Sequence, residues 1–285
     1  MVASPDPASI EIRPLATQAE LHACVELQRQ TWGEEFSDVV PVSILKVSQR
    51  VGGVAAGAFD GDGSLLGFVY GLTGVEKGRI VHWSDMLAVR PEARNIGLGL
   101  RLKEYQRRTV RELGGDTIYW TFDPLVARNA HLNLNKLGVH VAEYVVDMYG
   151  TTDSPLHGGM PTDRFVVAWP TYDDEIDAHL VEARRVTESE DCRQSPIVTE
   201  EWIESTAGAS ILPHCVRVEI PLDAESMFAA APADALAWRI RVRRATQWAV
   251  AAGYGVHGFF TDTESKRGQY VLTKRARPHS NGTRP

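Results

Sequence analysis

Apolar positions along the first 170 residues recur with the spacing of short strands and amphipathic helices. Polar and apolar residues alternate from Ser9 to Thr17, which predicts a strand. The capping box Thr17–Glu20 then predicts the start of a helix, and a second short helix should follow Pro41. Two apolar runs flank Asp60–Gly63, a sequence that favours a tight hairpin turn.

The next elements alternate between strands and helices. A long apolar strand is expected over 78–89, followed by a glycine-bearing loop and a helix that ends at Gly114–Gly115. A buried strand, a short helix closed by Gly138 and two further strands complete the pattern to residue 170. The order predicts an α/β (α+β) fold, with a mixed, mostly antiparallel sheet flanked by helices.

The remainder of the chain has a different pattern. Residues 171–210 are acidic and weakly periodic, which indicates a linker with partial helix. Residues 211–275 predict a small C-terminal α+β unit, and 276–285 a flexible tail. In its long helix we expect Leu236, Ile240 and Trp248 to form the buried face, with the arginines outside.

Composition and charge narrow the class of protein. With 285 residues, 44% hydrophobic residues and a net charge of −7, the chain resembles an ordinary soluble protein, and neither nucleic acid nor membrane is an expected partner. The three cysteines form no paired motif and argue against a disulfide framework. The amino terminus lacks the pattern of a signal peptide, so a cytoplasmic protein is expected. The sequence contains no H-E-x-x-H motif and no close Cys/His cluster, so no metal site is predicted.

The loop after the long strand has features of a phosphate-binding loop. It reads Val89-x-Pro91-x-x-Arg94-x-x-Gly97-x-Gly99. A P-loop is excluded because no Lys-Ser/Thr pair follows the glycines. A dinucleotide fingerprint fits poorly because Leu102 replaces its third glycine and no run of parallel strands flanks the loop. The backbone N–H groups of a helix start, approached without Cβ atoms, suit an anion.

This loop, with a strand before it and an amphipathic helix after it, resembles motif A of the GNAT superfamily of N-acetyltransferases. Lys136–Gly138 resembles the end of that family's motif B, and the element order to Pro170 is similar. The resemblance implies that 1–170 is an acyl-CoA-binding catalytic domain whose co-substrate is acetyl-CoA. It implies that the cofactor contacts Met86, Leu87, Ala88, Val89, Arg94, Asn95, Ile96, Gly97, Leu98, Gly99, Leu100 and Asn129.

In such enzymes a bulge separates the strand before the loop from its neighbour, so that the pantetheine arm enters between them. The resemblance places the catalytic base on that strand, where Asp85 is the first choice and His82 the second. A strand aspartate that only hydrogen-bonds its neighbours is the alternative. His82 and Ser84 should lie on the opposite face from Asp85.

The family's usual acid, a tyrosine, aligns with Leu134. Tyr144 and Tyr149 are the substitutes nearby, although each is also typical of a strand core. Asp163 and Arg164 are expected to pair with each other. The acidic stretch 33–38 could attract a cationic acceptor or form a solvated loop.

The sequence thus predicts an acyl-CoA-dependent N-acyltransferase that transfers acetyl by direct attack of a small-molecule or peptide amine. A non-catalytic acyl-CoA-binding protein and an enzyme for longer acyl groups or hydroxyl acceptors remain alternatives. A homodimer is the assembly to test.

Overall fold

A computed structural model describes residues 7–150 and 160–274. The tail expected at 276–285 lies outside the described residues. None of the helices described is long and apolar enough to cross a membrane.

The amino-terminal elements follow the predicted order closely. They are β1 (Glu11–Pro14), α1 (Gln18–Trp32), α2 (Val42–Arg50), β2 (Val54–Phe59), β3 (Leu65–Glu76), β4 (Arg79–Val89), α3 (Leu98–Glu112) and β5 (Thr117–Phe122).

Local chemistry accounts for two of these boundaries. At the start of α1 the Thr17 hydroxyl accepts the Glu20 N–H at 3.2 Å, and the Glu20 carboxylate accepts the Thr17 N–H at 3.1 Å. The predicted capping box is therefore confirmed. Between β2 and β3, one carboxylate oxygen of Asp60 accepts the N–H groups of Asp62 and Ser64, which fixes the tight turn.

Further elements complete a seven-stranded sheet and build a second one. They are α4 (Ala127–Ala130), β6 (His140–Val145), β7 (Arg164–Pro170), α5 (Asp173–Glu188), α6 (Glu190–Arg193), α7 (Glu200–Ser205), β8 (Cys215–Pro221), α8 (Ala224–Ala230), α9 (Pro232–Ala251), β9 (Tyr254–Asp262) and β10 (Arg267–Lys274). The first sheet has the order β1-β2-β3-β4-β5-β7-β6, and the second has the antiparallel order β8-β10-β9.

Strand directions confirm the predicted fold class. Strands β1 to β4 pair antiparallel in sequence order, whereas β4 and β5 pair parallel across helix α3. The first sheet is thus mixed and mostly antiparallel, with helices beside it. The smaller three-stranded sheet belongs to the α+β part of the chain near the carboxyl end.

The chain divides into two compact units. The first takes in the described residues of Met1–Thr121, Tyr149–Thr162 and Val166–Ile176, and the second those of Phe122–Met148, Asp163–Phe165 and Asp177–Pro285. The core of the first unit packs α1 and α2 against the central strands, with Leu21, Leu45 and Phe68 almost fully buried.

In the second unit the buried face of α9 differs from the one expected. Leu236 and Ile240 are 40% and 39% exposed, whereas Arg239 is 2% exposed. The Arg239 guanidinium donates two hydrogen bonds to the carboxylate of Asp123, at 2.7 and 2.5 Å. The prediction was wrong because a charged side chain can be buried when a charge partner satisfies it.

The cysteines also depart from expectation. Cys192 of α6 and Cys215 of β8 form a disulfide with their Cα atoms 5.3 Å apart, although 23 positions separate them in sequence. Cys24 is a buried free thiol. The expectation that no cysteines pair was wrong, because packing of α6 on β8 brings together two residues that no spacing motif connects.

Candidate functional site

Strand β4, which precedes the glycine loop, carries a bulge, as the resemblance implies. Tyr70 of β3 pairs with Met86, and the next residue, Gly71, pairs with Ser84, so that Asp85 is the extra residue. A bulge bends its strand and redirects the side chain at that point.

Beside the bulge, β4 and β5 separate. Their parallel pairing covers only Val81–Trp83 against Thr117–Tyr119. From Ser84 and Trp120 onward the two strands are no longer paired, although both continue. The backbone of Met86–Val89 thus borders an opening between strands, as expected for a site that pairs with an extended ligand.

The glycine loop leads from β4 into the start of α3. Gly97 precedes the helix with φ +78°, a left-handed conformation that L side chains adopt only with strain, and Asn95 has φ +65°. Arg101 N–H to Gly97 O, at 3.1 Å, closes the first turn. Within the described residues no side chain caps this helix start. The first N–H groups of this helix have no intrahelical acceptor, an arrangement that suits the binding of an anion.

The other loop residues have distinct positions. Leu98 is buried and anchors the helix, whereas Arg94, Asn95 and Leu100 are exposed. The Arg94 side chain donates to Val89 O at 3.3 Å, so this arginine links the loop to the end of β4. Ile96 and Gly99 are half-buried.

Asp85 is exposed to solvent but lies beside other acidic and aromatic groups. Surrounding protein atoms, and then the carboxylate of Asp38, raise the pKa of Asp85. The Asp85 charge in turn acts on the hydroxyl of Tyr70, which is buried on β3. An accessible carboxylate with a raised pKa suits a general base.

His82 lies on the other face of β4 and is fully buried. The Thr73 hydroxyl donates to Gly52 O at 2.6 Å, so the His82 Nδ1–H must donate to Thr73 Oγ1 at 2.9 Å. Nε2 then accepts from Gln106 Nε2 at 3.0 Å, which assigns a neutral ring. Burial, and then the charge of Lys103, lower the pKa of His82 to about 3.

This histidine should make stability depend on pH. The unfolded chain binds a proton at His82 near pH 6.5, whereas the folded chain binds it only near pH 3. We therefore expect stability to fall as the pH drops below 6.5, with a loss of about 2 kcal/mol from this residue by pH 5.

Urea unfolding of His82→Asn between pH 5 and pH 8 tests this dependence. The variant should lose part of the stability of the parent at pH 8 and show a flatter decline toward pH 5. His22→Asn, at an exposed histidine, serves as the control and should keep the parental slope. Equal slopes for the parent and His82→Asn would show that His82 is not buried in its neutral form.

A residue that the sequence did not single out lies where β4 and β5 separate. The Nζ atom of Lys103, on α3, donates to Ser84 Oγ at 2.8 Å and lies 3.8 Å from the centroid of the Trp120 ring. Burial lowers the pKa of Lys103 to about 7. No sequence signal distinguishes this lysine from one on the polar face of an amphipathic helix.

The residues at or near the position of the usual acid differ in their surroundings. Leu134 is buried, and its side chain has no group that can donate a proton. The Tyr144 hydroxyl donates to the buried carboxylate of Asp163 at 2.6 Å, and burial raises the pKa of Tyr144. Tyr149 is 49% exposed, and its hydroxyl is 3.1 Å from Thr121 Oγ1 on β5. Tyr149 therefore contacts a strand that borders the opening.

Asp163 and Arg164 contact each other, but not through the carboxylate. Arg164 Nη1 donates to the Asp163 backbone O at 3.0 Å, whereas the Asp163 carboxylate accepts from the Arg243 guanidinium at 2.6 and 2.9 Å. The carboxylate is thus paired with an arginine that α9 supplies from a distant part of the sequence.

Asn129 lies in α4 of the second unit. Its backbone N–H donates to Val126 O at 3.0 Å, and its backbone carbonyl oxygen accepts from Asn133 Nδ2 at 2.8 Å. Its expected contact with the cofactor stays a prediction. Across 7–150 and 160–274, no group of three His, Cys, Asp or Glu side chains could hold a metal ion.

The chain has low-level similarity to several solved structures. No protein-family profile matches the chain, and no curated protein matches it. The ribosomal-protein-S18-alanine N-acetyltransferase from Escherichia coli shares 19% identity at a TM-score of 0.43, over 57% of this chain and 95% of its own. Aminoglycoside 6'-acetyltransferase type Ii shares 20% identity at a TM-score of 0.45, over 57% and 97%. The yncA protein of Salmonella typhimurium, solved with its cofactor acetyl-CoA, shares 17% at 0.45, over 58% and 95%.

The fold of this chain is GNAT-like. Its own strand order, the parallel β4–β5 pair beyond which the strands separate, and the glycine loop at the start of α3 define that class.

Proposed function

We propose that the protein is an acyl-CoA-dependent N-acyltransferase that transfers acetyl from acetyl-CoA to an amine. One observation carries the proposal: a bulge at Asp85, an opening between β4 and β5, and an uncapped helix start at Gly97 lie along one path. That path offers successive sites for a reacting carbonyl group, an extended arm and a pyrophosphate.

Each part of the cofactor then has a matching group. The pyrophosphate binds the N–H groups from Asn95 to Leu100, where the helix dipole favours negative charge. The pantetheine arm pairs with the backbone of Met86–Val89 in the opening. The thioester lies at the bulge, where one backbone N–H polarises its carbonyl group.

Transfer proceeds by direct attack. The amine nitrogen forms a bond to the carbonyl carbon while Asp85 accepts the proton of the amine, and the carbon–sulfur bond then breaks. Asp85 supports this role because it is exposed and its pKa is raised. His82 is not proposed as the base because it is buried and both of its ring nitrogens are engaged.

The acceptor is proposed to be a cationic amine. Asp38, whose charge acts on Asp85, belongs to the acidic stretch 33–38, and Glu34, Glu35 and Asp38 are all exposed. Negative charge at this position concentrates cations near the base. Polyamines, aminoglycosides and peptides with free amino groups are the acceptor classes to test.

A non-catalytic acyl-CoA-binding protein is the second candidate, and one observation favours it. Leucine occupies the position of the family's usual acid, where Leu134 is buried. The two candidates predict the same binding of acetyl-CoA and differ only in turnover.

Release of free thiol from acetyl-CoA, measured against the three amine classes, tests the proposal. We expect thiol release that depends on both the protein and one acceptor class. Binding of acetyl-CoA without thiol release for any amine would instead support the non-catalytic candidate.

A further inference from the structure

A half-buried lysine, Lys103, lies at the point where β4 and β5 separate. The last parallel pair joins Trp83 to Tyr119, and the next residues along the two strands are Ser84 and Trp120. Lys103 Nζ contacts both of them, through the Ser84 hydroxyl and the face of the Trp120 ring. The ammonium group therefore lies at the vertex of the opening, beside the residue that precedes the bulge.

The sheet and α3 hold this lysine in place. His82 and Ser84 project from one face of β4 at i and i+2, and Gln106 and Lys103 project from α3 three positions apart. The two pairs meet side chain to side chain. Asp85 instead lies near Asp38 and Tyr70, on the face of the sheet away from Lys103. A base and a cation thus approach the vertex from opposite faces of the sheet.

We propose that the Lys103 ammonium group protonates the thiolate that leaves when the acetyl group is transferred. This inference rests on the proposed function. It assigns the role of proton donor to Lys103, because the residue that aligns with the usual tyrosine, Leu134, cannot donate a proton. The carbon–sulfur bond breaks with its electron pair on sulfur. Sulfur then takes a proton from Lys103 Nζ, giving free thiol and a neutral amine that regains its proton from solvent.

The acidity of this lysine suits the step. Burial lowers its pKa to about 7, whereas an ordinary thiol has a pKa of about 8.5. A donor more acidic than the leaving thiol transfers its proton favourably, and a pKa near neutrality keeps about half of the donor charged. The Trp120 face and the Ser84 hydroxyl stabilise the charged form.

Tyr149 is the rival donor, because its hydroxyl contacts Thr121 on β5. It is half exposed, on a short segment before residues that are not described. Substitution of each residue separately therefore distinguishes the two donors.

The test measures kcat from pH 6 to pH 10, with saturating acetyl-CoA, in the parent and in Lys103→Met, Lys103→Arg and Tyr149→Phe. The parent should lose activity as the pH rises above about 7, because the ammonium group loses its proton. Both Lys103 variants should lose about 100-fold or more in kcat at pH 7. Arginine keeps the charge but cannot release a proton, so Lys103→Arg separates proton donation from charge stabilisation.

Controls separate chemistry from folding. CoA affinity, measured by calorimetry, should be unchanged in both Lys103 variants, because this lysine lies outside the glycine loop. Lys77→Met, in the β3–β4 hairpin, should keep the parental kcat profile.

Two outcomes overturn the assignment while leaving the enzyme intact. The first is full activity of Lys103→Arg, and the second is a parental decline at high pH that disappears in Tyr149→Phe. The parental profile alone decides the matter if the variants do not fold, since constant kcat from pH 7 to pH 9 excludes Lys103. A parent that releases no thiol under any condition refutes the proposed function itself.

Discussion

Asp85→Asn should lower kcat for acetyl transfer by about 100-fold or more at neutral pH, with CoA affinity unchanged. Asparagine keeps the size of the side chain but cannot accept the proton of the attacking amine. The raised pKa of Asp85 also predicts that activity of the parent falls as the pH drops, because the protonated carboxyl group is no longer a base.

Asp38→Asn is the matched variant for this prediction. The Asp38 carboxylate raises the pKa of Asp85, so its removal should move the acidic limb of the kcat profile to lower pH. A rate for Asp85→Asn that equals the parental rate across the whole pH series would place the base elsewhere.

Arg239→Met should destabilise the second unit by about 3–5 kcal/mol, the range measured when one partner of a buried ion pair is removed. Arg239 is 2% exposed and donates both of its hydrogen bonds to Asp123. After the substitution Asp123 would keep the Leu125 N–H, at 2.8 Å, and the weaker approach of Arg164, at 3.6 Å.

Urea unfolding measures this effect, with Arg241→Met as the control at an exposed arginine of the same helix. The double variant Arg239→Met/Asp123→Leu should recover part of the loss, because the buried charge of Asp123 is removed while the buried Arg164 loses its approach to that carboxylate. Similar midpoints for Arg239→Met and Arg241→Met would show that the buried pair contributes little.

Local sequence signals predicted those parts of the fold that local chemistry determines. The capping box at Thr17 and the turn at Asp60 depend on residues within four positions of each other. The glycine loop was recognisable for the same reason, since its strand, its glycines and its helix follow directly along the chain. The resemblance to a family implied a bulge in this strand, whereas its position at Asp85 was found only in the structure, because no residue in β4 signals it.

Distant partners explain what the sequence did not predict. Arg239 is buried because of Asp123, which lies 116 positions away. Lys103 belongs to a helix whose pattern marks Leu98 and Leu102 as the buried face, and only the contacts with Ser84 and Trp120 show its surroundings. The sequence position of His82 is compatible with a base, but its two ring nitrogens form hydrogen bonds to Thr73 and Gln106, which the sequence does not indicate.

The proposed function depends first on binding of CoA at the glycine loop. Calorimetry can compare the parent with Gly97→Ala and Gly97→Glu. Both substitutions force an L side chain into φ +78°, and no atom lies within 4 Å of the added Cβ, so alanine reports the backbone strain alone. Glutamate adds a negative charge at the pyrophosphate site.

We expect the parent to bind CoA and to gain thermal stability from it. Gly97→Ala should keep most of that affinity, and Gly97→Glu should lose at least about tenfold more, equivalent to about 1.4 kcal/mol. Equal CoA affinities for the parent and Gly97→Glu, or no binding by the parent, would contradict the assignment of this loop and the function proposed from it.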